Sequence, residues 1–174
     1  MTTTKHHEAN VWKGMASGLL AGLAASYVMN QFQSGLKEML DDGQPQSNGK
    51  KEQEGKKEPA TVKAAEAISE SVADHELTRK EKEVAGPVMH YGMGATSGAV
   101  YGLAAELQPH FASGSGLPFG AAVWFLADEV ALPALGLSGP PWKSPPSTHV
   151  KALASHFVYG LTTDVFRRAI RRVL

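Results

Sequence analysis

Small residues recur at every fourth position in four apolar stretches of the chain. Residues four apart share one face of an α-helix, so each stretch predicts a helix that carries a narrow stripe of small side chains. Such stripes allow helix backbones to approach each other closely. The glycines predicted to pack helices in this way are Gly14, Gly18 and Gly22, then Gly94, Gly98 and Gly102, then Gly120 and Gly136, and finally Gly160.

So much glycine inside helices is unfavourable in water, where each residue costs about 1 kcal/mol relative to alanine. In a bilayer the lipid tails are already apolar, and small residues are what bring helices together. The pattern therefore predicts an all-α fold, a four-helix transmembrane bundle with glycine-stripe packing, whose partner is the lipid bilayer. The predicted spans are residues 11–33, 88–107, 117–137 and 150–172. A soluble glycine-rich helical protein is the alternative.

A hydrophilic loop separates the first predicted span from the other three. Residues 1–10 read as a polar tail, and residues 34–86 form the linker. The part from 37 to 57 is rich in Gly, Gln, Lys and Glu and lacks aromatic residues. Such a composition buries too little apolar surface to offset the entropy of ordering, so this part is predicted to be disordered.

One short helix is predicted inside the linker, over residues 60–76. Pro59 opens it, and apolar residues at helical spacing give it a weakly amphipathic character. It is either a solvated connector or a helix at the membrane interface. Gly86-Pro87 is expected to break the chain before the three-helix region, residues 87–172.

Composition excludes several classes of function. The formal net charge is zero, which gives no reason to expect a nucleic-acid partner, and the absence of cysteine excludes disulfides, thiolate metal ligands and thiol nucleophiles. Ser155 and His156 are sequence neighbours, so their side chains point apart on a helix, and no Gly-x-Ser-x-Gly motif follows a strand. We predict a protein that is not an enzyme and that has no cofactor.

Basic residues predict the orientation of the bundle. An even number of spans puts both termini on one side of the membrane, and positive charge near span ends favours the cytoplasmic side. The terminal segments carry Lys5, Lys13, Arg167, Arg168, Arg171 and Arg172. The termini are therefore predicted to be cytoplasmic.

Among the ionisable residues inside the predicted spans, six are candidates for a functional site: His90, Glu106, Asp128, His156, Asp164 and Arg167. The histidines and carboxylates of this set are predicted to lie at different depths in the membrane. A charge at the centre of a membrane helix costs about 2.5 to 3.5 kcal/mol, so such groups usually face the bundle and serve a purpose. One hypothesis is a proton- or ion-binding polar line. The alternative is mutual pairing, of His156 with Asp128 and of the other carboxylates with the basic end of the last helix. A metal bound by the two histidines and Asp128 is a third option, disfavoured by their different depths, and no metal is predicted.

The same residues resemble a known family. His90 through Glu106, the turn at residues 136–141, His156, Asp164 and Arg167 are similar to the YagU-type inner-membrane proteins, a bacterial domain of unknown function. The resemblance covers residues 87–172. It implies a bacterial cytoplasmic-membrane location and an association with acid resistance. Asp128 differs from the family pattern, and the linker has no counterpart in it.

Two functions remain open at this point. The first is an inner-membrane protein whose polar line binds or relays protons. The second is a non-catalytic scaffold or accessory subunit of a membrane complex, in which the helix at residues 60–76 recruits a partner. The uncharged glycine stripe of the first helix is also free, on the sequence alone, to form a homo-oligomer contact.

Overall fold

The structure, a computed structural model, describes residues 10–41 and 58–174. Within these ranges the chain is all-helical and contains no strand. The α-helices are α1 (Val11–Asp41), α2 (Ala60–Ala73), α3 (Arg79–Leu107), α4 (Leu117–Trp124), α5 (Leu132–Ala134) and α6 (Pro146–Val173). A π-helical segment, Phe125–Ala131, joins α4 to α5, and short 3₁₀ turns lie at Pro109–Ala112 and Pro141–Lys143. The predicted tail at residues 1–9 and the predicted disorder at residues 42–57 lie outside the described residues.

The glycine stripes of α1 and α3 pack directly against each other, with the helices antiparallel. A Cβ atom on Gly18 would lie 2.2 Å from the carbonyl oxygen of Gly98, and one on Gly22 would lie 2.2 Å from that of Gly94. Only glycine allows such an approach of two backbones. The expectation that the α1 stripe is free for a homo-oligomer contact is wrong, because α3 of the same chain covers it.

A second close contact joins α4 to α6. A Cβ on Gly120 would lie 2.2 Å from the carbonyl oxygen of His156, and one on Gly160 would lie 2.2 Å from that of Gly116. Gly116 precedes α4 with φ +79°, a left-handed conformation that favours glycine. Gly136, predicted to pack helices, does not do so. It has φ +71° in the turn after α5, and a Cβ there would meet no atom within 4 Å.

An aromatic group fills the middle of the bundle. The rings of Tyr101 on α3 and Phe119 on α4 stack with centroids 4.3 Å apart, and the Phe119 ring lies 5.8 Å from that of Tyr159 on α6. Ala25 and Met29 of α1 pack against Tyr159. We refer to Tyr101, Phe119 and Tyr159 as the aromatic layer. Tyr101 lies in the last third of α3, and Tyr159 lies near the middle of α6.

The helix α3 begins earlier than the sequence predicts. Pro87 lies inside α3, so the predicted break at Gly86-Pro87 is wrong. The cause is the capping box at Thr78 and Glu81: the Thr78 hydroxyl accepts from the Glu81 N–H at 3.4 Å, and the Glu81 carboxylate accepts from the Thr78 N–H at 2.7 Å. This capping box stabilises the first turns of α3. Pro87 then removes only one backbone hydrogen bond, which the helix tolerates where neighbouring elements pack against it.

The capping box makes the start of α3 sensitive to acid. The hydroxyl and backbone N–H of Thr78, followed by His75, lower the pKa of Glu81 from 4.5 to about 2. A carboxylate with a lowered pKa in the folded state contributes stability above its unfolded pKa and loses it on acidification. We expect the first turn of α3 to hold down to pH 4.5 and to fray between there and pH 2. An NMR titration of the Glu81 carboxyl carbon measures this directly.

Thr78→Ala supplies the matched control, since it removes the hydroxyl that is the main cause of the shift. The midpoint of the Glu81 titration should rise towards the ordinary glutamate value in this variant. An unchanged midpoint would show that the cap does not form in solution.

The short helix α2 packs on the beginning of α3. A Cβ on Gly86 would lie 2.8 Å from Cγ2 of Val62, and Lys82 pairs with Glu66 at 2.6 Å and with Glu58 at 3.2 Å. The helix ends at Ala73, not at residue 76, because Asp74 adopts a left-handed conformation with φ 48°. A residue in the left-handed conformation turns the backbone away from the helix axis, so the helix ends there.

The remaining boundaries also differ from the predicted ones. α1 continues past residue 33 to Asp41, so residues 34–41 of the predicted linker are helical and the prediction of disorder is wrong for residues 37–41. The predicted helix at 117–137 is interrupted by the π-helical segment and ends at Ala134, and α6 begins at Pro146 with no side-chain cap. Proline is favoured in the first turn of a helix because its missing N–H needs no partner there.

One helical stretch in the described parts of the chain is long and apolar enough to cross a membrane, Leu117–Ala134. Only 6% of its residues are buried within the chain. Eight of its 18 residues are exposed, and most of the others are partly buried.

Candidate functional site

The predicted ionisable residues divide into two groups, one at each end of the bundle. His90, Asp128 and His156 lie at the end that α2 adjoins, and we call these three residues the cleft site. Glu106, Asp164 and Arg167 lie at the opposite end, which we call the basic end. The aromatic layer lies between the two groups along α3, α4 and α6.

Asp164 is the centre of a buried polar cluster at the basic end. Its side chain is 2% exposed. It accepts hydrogen bonds from the hydroxyl of Tyr101 at 2.9 Å, from Arg167 at 3.0 Å and from Nε of Arg168 at 2.8 Å. The Arg167 guanidinium also lies 5.5 Å from the centre of the Tyr101 ring, in cation–π range. The carboxylate is thus fully engaged by partners from α3 and α6.

Glu106 is engaged at the same end. Its carboxylate accepts from Nε of Arg171 at 3.0 Å and from the second guanidinium nitrogen at 2.7 Å, a two-point pair. It also accepts from the backbone N–H of Asn10 at 3.0 Å, and Lys13 donates to the carbonyl of Leu174. These contacts tie the start of α1, the end of α3 and the end of α6 together. Glu106 and Asp164 therefore have the basic partners that the pairing alternative assigns to them.

A cleft of about 740 Å³ opens at the other end. Its walls come from α1, α2, α3, the π-helical segment and α6, and they are mainly apolar. His90, Asp128 and His156 all line it, together with Ser26 and Tyr159. A concave, mostly apolar cleft with a few convergent polar groups is the usual form of a small-molecule site.

Asp128 and His156 face each other without a hydrogen bond. Nδ1 of His156 lies 3.8 Å from Oδ2 of Asp128, beyond hydrogen-bond range. The same nitrogen lies 2.9 Å from the Ala152 carbonyl oxygen, which only accepts, so Nδ1 carries a proton and donates it there. Nδ1 is thus occupied by the backbone, and within the described residues the Asp128 carboxylate has no hydrogen-bond donor.

Two further polar atoms of the cleft lack partners. Ser26 Oγ and His90 Nε2 are buried and make no hydrogen bond to any described residue. Both residues line the cleft. A buried polar atom without a partner costs free energy, so these two atoms mark positions where a bound molecule gains by supplying hydrogen bonds.

The carboxylate next to Asp128 has a different environment. Glu129 lies 2.6 Å from Nδ1 of His149, and Nε2 of His149 lies 3.1 Å from the Pro141 carbonyl oxygen. Both ring nitrogens face oxygen atoms that accept hydrogen bonds, and this arrangement favours the charged form of His149. The hydrogen bond to Glu129 is the main cause that raises the pKa of His149 above 6.5. This pair joins the π-helical segment to the loop before α6 and does not line the cleft.

Several polar residues that the sequence pattern does not single out also lie at these sites. The Tyr101 hydroxyl donates to Asp164 at 2.9 Å, and the Tyr159 hydroxyl donates to the Gly94 carbonyl at 2.6 Å. Arg171 pairs with Glu106. The two tyrosines could have been recognised as site residues because each lies in a glycine-rich apolar stretch, where a buried hydroxyl needs a hydrogen-bond acceptor. Within the described ranges no three His, Asp or Glu side chains group closely enough to hold a metal ion.

The sequence matches the model of a known protein family. A family model described as "Protein of unknown function (DUF1440)" matches residues 51–165, which is more than half of the chain. The matched region contains the whole cleft site and Asp164, and it ends before Arg167. The comparison with curated proteins and the comparison with solved structures found no match.

Proposed function

We propose that this chain, which belongs to the DUF1440 family, is an integral membrane protein that crosses the bilayer four times and binds protons at its cleft site. The spanning segments are the apolar parts of α1, α3 and α6 and the rod formed by α4, the π-helical segment and α5. The cleft site carries the function and the Asp164 cluster stabilises the bundle.

The distribution of side chains carries the membrane proposal. The largest fully buried side chains of the described chain are Thr163, Asp164, Ser17, Ser26 and Ser155. Large apolar side chains such as Leu20, Val100, Phe125 and Leu161 lie on the outside. A soluble protein shows the opposite pattern, because water drives large apolar groups inwards. Lipid removes that drive, and small and polar groups then occupy the interior.

Paired charges and glycine explain why three of the four segments are less apolar than Leu117–Ala134. The carboxylates in the apolar parts of α3 and α6, Glu106 and Asp164, are paired with arginines of α6, which lowers the cost of inserting them. The glycines of these segments reduce hydropathy but are required for the close contacts of α1 with α3 and of α4 with α6.

Charge also supports an orientation. Lys13, Arg168 and Arg171 lie at the basic end, and positive charge favours the cytoplasmic side of a bacterial inner membrane for that end. The cleft, α2 and the linker then face outwards. An outward-facing carboxylate and two imidazoles would respond first when the external medium acidifies, consistent with the acid-stress association that the YagU-type resemblance implies.

Proton binding at the cleft site follows from the state of Asp128. A carboxylate with no hydrogen-bond donor in a mostly apolar cleft is neutralised by a proton or by a cation. The aromatic layer lies between this site and Asp164, and this favours binding at one end over conduction through the bundle.

Topology can be tested with single-cysteine variants, because the sequence contains no other cysteine that would react. Ser147→Cys, before the apolar part of α6, should react with a membrane-impermeant maleimide in intact spheroplasts. Ser113→Cys, between α3 and α4, should react only after permeabilisation. Equal labelling of both variants in intact spheroplasts would contradict the four spans, and inverted labelling would contradict the orientation alone.

Proton binding can be tested by infrared difference spectroscopy of the purified protein. Acidification should produce the carbonyl band of a protonated carboxyl group that is lost in Asp128→Asn. Glu129→Gln is the matched control, since Glu129 is adjacent but pairs with His149. The band should persist in it. A spectrum that Asp128→Asn leaves unchanged would overturn the proton site.

A second candidate is the non-catalytic scaffold. It is favoured by α2, whose Ile68 and Val72 are exposed on the surface of the described chain. Under this function Asp128→Asn and His156→Leu change only stability, whereas Ile68→Ser with Val72→Ser removes partner recruitment.

A further inference from the structure

We propose that the cleft binds an organic ammonium ion with an apolar body, and that the ion displaces the proton from Asp128. This inference rests on the proposed function, because the ion and the proton compete for one carboxylate. It assigns a ligand class to the cleft.

The size and walls of the cleft fit a small apolar molecule. Its volume of about 740 Å³ falls in the range of about 300 to 1,000 Å³ that holds drug-sized ligands. The apolar lining includes Met29, Met93, Val123, Leu126 and Leu132. These side chains supply contact area to a hydrocarbon or aryl body and offer nothing to a strongly hydrated inorganic ion.

The charge of the cleft selects a cation. Among its lining residues Asp128 is the sole carboxylate, and none is Lys or Arg. The side chain of Asp128 is 32% exposed, so a ligand can reach it. The remaining titratable groups of the lining are the two histidines and Tyr159. Nδ1 of His156 is directed to the Ala152 carbonyl, and the Tyr159 hydroxyl donates to the Gly94 carbonyl. An anion would meet an uncompensated negative charge here, whereas a cation would neutralise it.

The buried polar atoms without a hydrogen-bond partner, Ser26 Oγ and His90 Nε2, favour an ammonium ion that carries N–H groups. Asp128, Ser26 and His90 come from three different elements, the π-helical segment, α1 and α3, and all face the same cleft. The Ser26 hydroxyl and the unprotonated nitrogen of a neutral imidazole both accept hydrogen bonds. A protonated primary amine has three donors to offer to such groups, and a quaternary ion has none.

The chemistry of the exchange is balanced. The neutral carboxylic acid of Asp128 releases its proton to the outer solution, and the ammonium ion pairs with the resulting carboxylate. No bond to carbon changes and no electron is transferred. One positive charge leaves the site for each one that enters.

The test uses the purified full chain in detergent, with phenylbutylammonium as the probe and phenylbutanol as its uncharged match. Equilibrium dialysis should show saturable binding of the ammonium ion, with an affinity about tenfold or more above that of the alcohol. Asp128→Asn should remove this preference, and Glu129→Gln should keep it. Binding by the wild-type chain should weaken as the pH falls, with release of protons into unbuffered solution when the probe is added.

The outcomes separate this inference from the proposed function. Equal binding of the amine and the alcohol overturns the ammonium site, even where the infrared band of Asp128 persists. Equal affinity of the amine for wild type and Asp128→Asn also overturns it. The wild-type chain could instead lack the infrared band of Asp128 and bind the amine equally at every pH. That result would overturn the proton site and the exchange of proton for ammonium ion, and it would leave only a cation site. The wild-type pH profile remains decisive if Asp128→Asn fails to fold.

Discussion

Replacing Gly18 by alanine is expected to destabilise the bundle by about 3 kcal/mol or more, at the upper end of the usual cost of overpacking. The new Cβ would lie 2.2 Å from the carbonyl oxygen of Gly98 and 2.9 Å from the Cα of Gly102. Both are backbone atoms, so no side chain can move aside, and α1 and α3 must separate along their length. The midpoint of thermal or SDS-induced unfolding, followed by circular dichroism in detergent, measures the loss.

Two other helical glycines provide matched controls. Gly35 on α1 and Gly92 on α3 would place a Cβ in open space, with no atom within 4 Å. Alanine at either position should leave stability unchanged or raise it by up to about 1 kcal/mol through helix propensity. If Gly18→Ala proved as stable as Gly35→Ala, the close contact of α1 with α3 would be refuted.

Asp164→Asn is expected to cost about 3 to 5 kcal/mol, the usual effect of removing one partner of a buried ion pair. Asn keeps the size of the side chain but leaves the Arg167 guanidinium buried without a counter-charge. Arg168 is affected less, since its side chain is 49% exposed and can turn towards solvent. Unfolding in detergent again provides the measurement, with retention in the membrane fraction as a second one.

Tyr101→Phe and a double variant identify the cause of that loss. Tyr101→Phe removes one neutral donor to Asp164 and should cost only about 1 kcal/mol. Asp164→Asn combined with Arg167→Met removes both buried charges and should regain much of the stability lost by Asp164→Asn alone. A double variant as unstable as the sum of the two single variants would show that the charges do not depend on each other.

Local patterns in the sequence predict the helices better than their ends. The four-residue spacing of glycine identifies the segments that became α1, α3, α4 and α6, because that spacing is a property of a single helix. The sequence misplaces the start of α3 because Pro87 argues locally against a helix, whereas the Thr78 cap and the contact of α2 with Gly86 outweigh it. It also misplaces the end of α1, since residues 34–41 include polar residues and yet continue the helix to Asp41.

Gly136 illustrates the limit of periodicity. It continues the four-residue series from Gly120 through Asp128, but the helix ends before it, and its φ of +71° belongs to a turn. A spacing rule cannot distinguish a glycine that packs a helix from one that closes it. The π-helical segment shifts the register further, so residues after Phe125 no longer follow the face that the spacing assigns to them.

Residue order alone predicts that this protein is helical, that its helices meet through glycine and that its ionisable groups lie within apolar stretches. These properties depend on the order of residues along one helix. Only the tertiary structure decided which stripes face each other, that Asp164 meets Tyr101 and Glu106 meets Arg171, and that Asp128 is left without a donor beside an open cleft. Partners on different helices depend on the rotation and register of whole helices, and those are set by the close packing of their backbones.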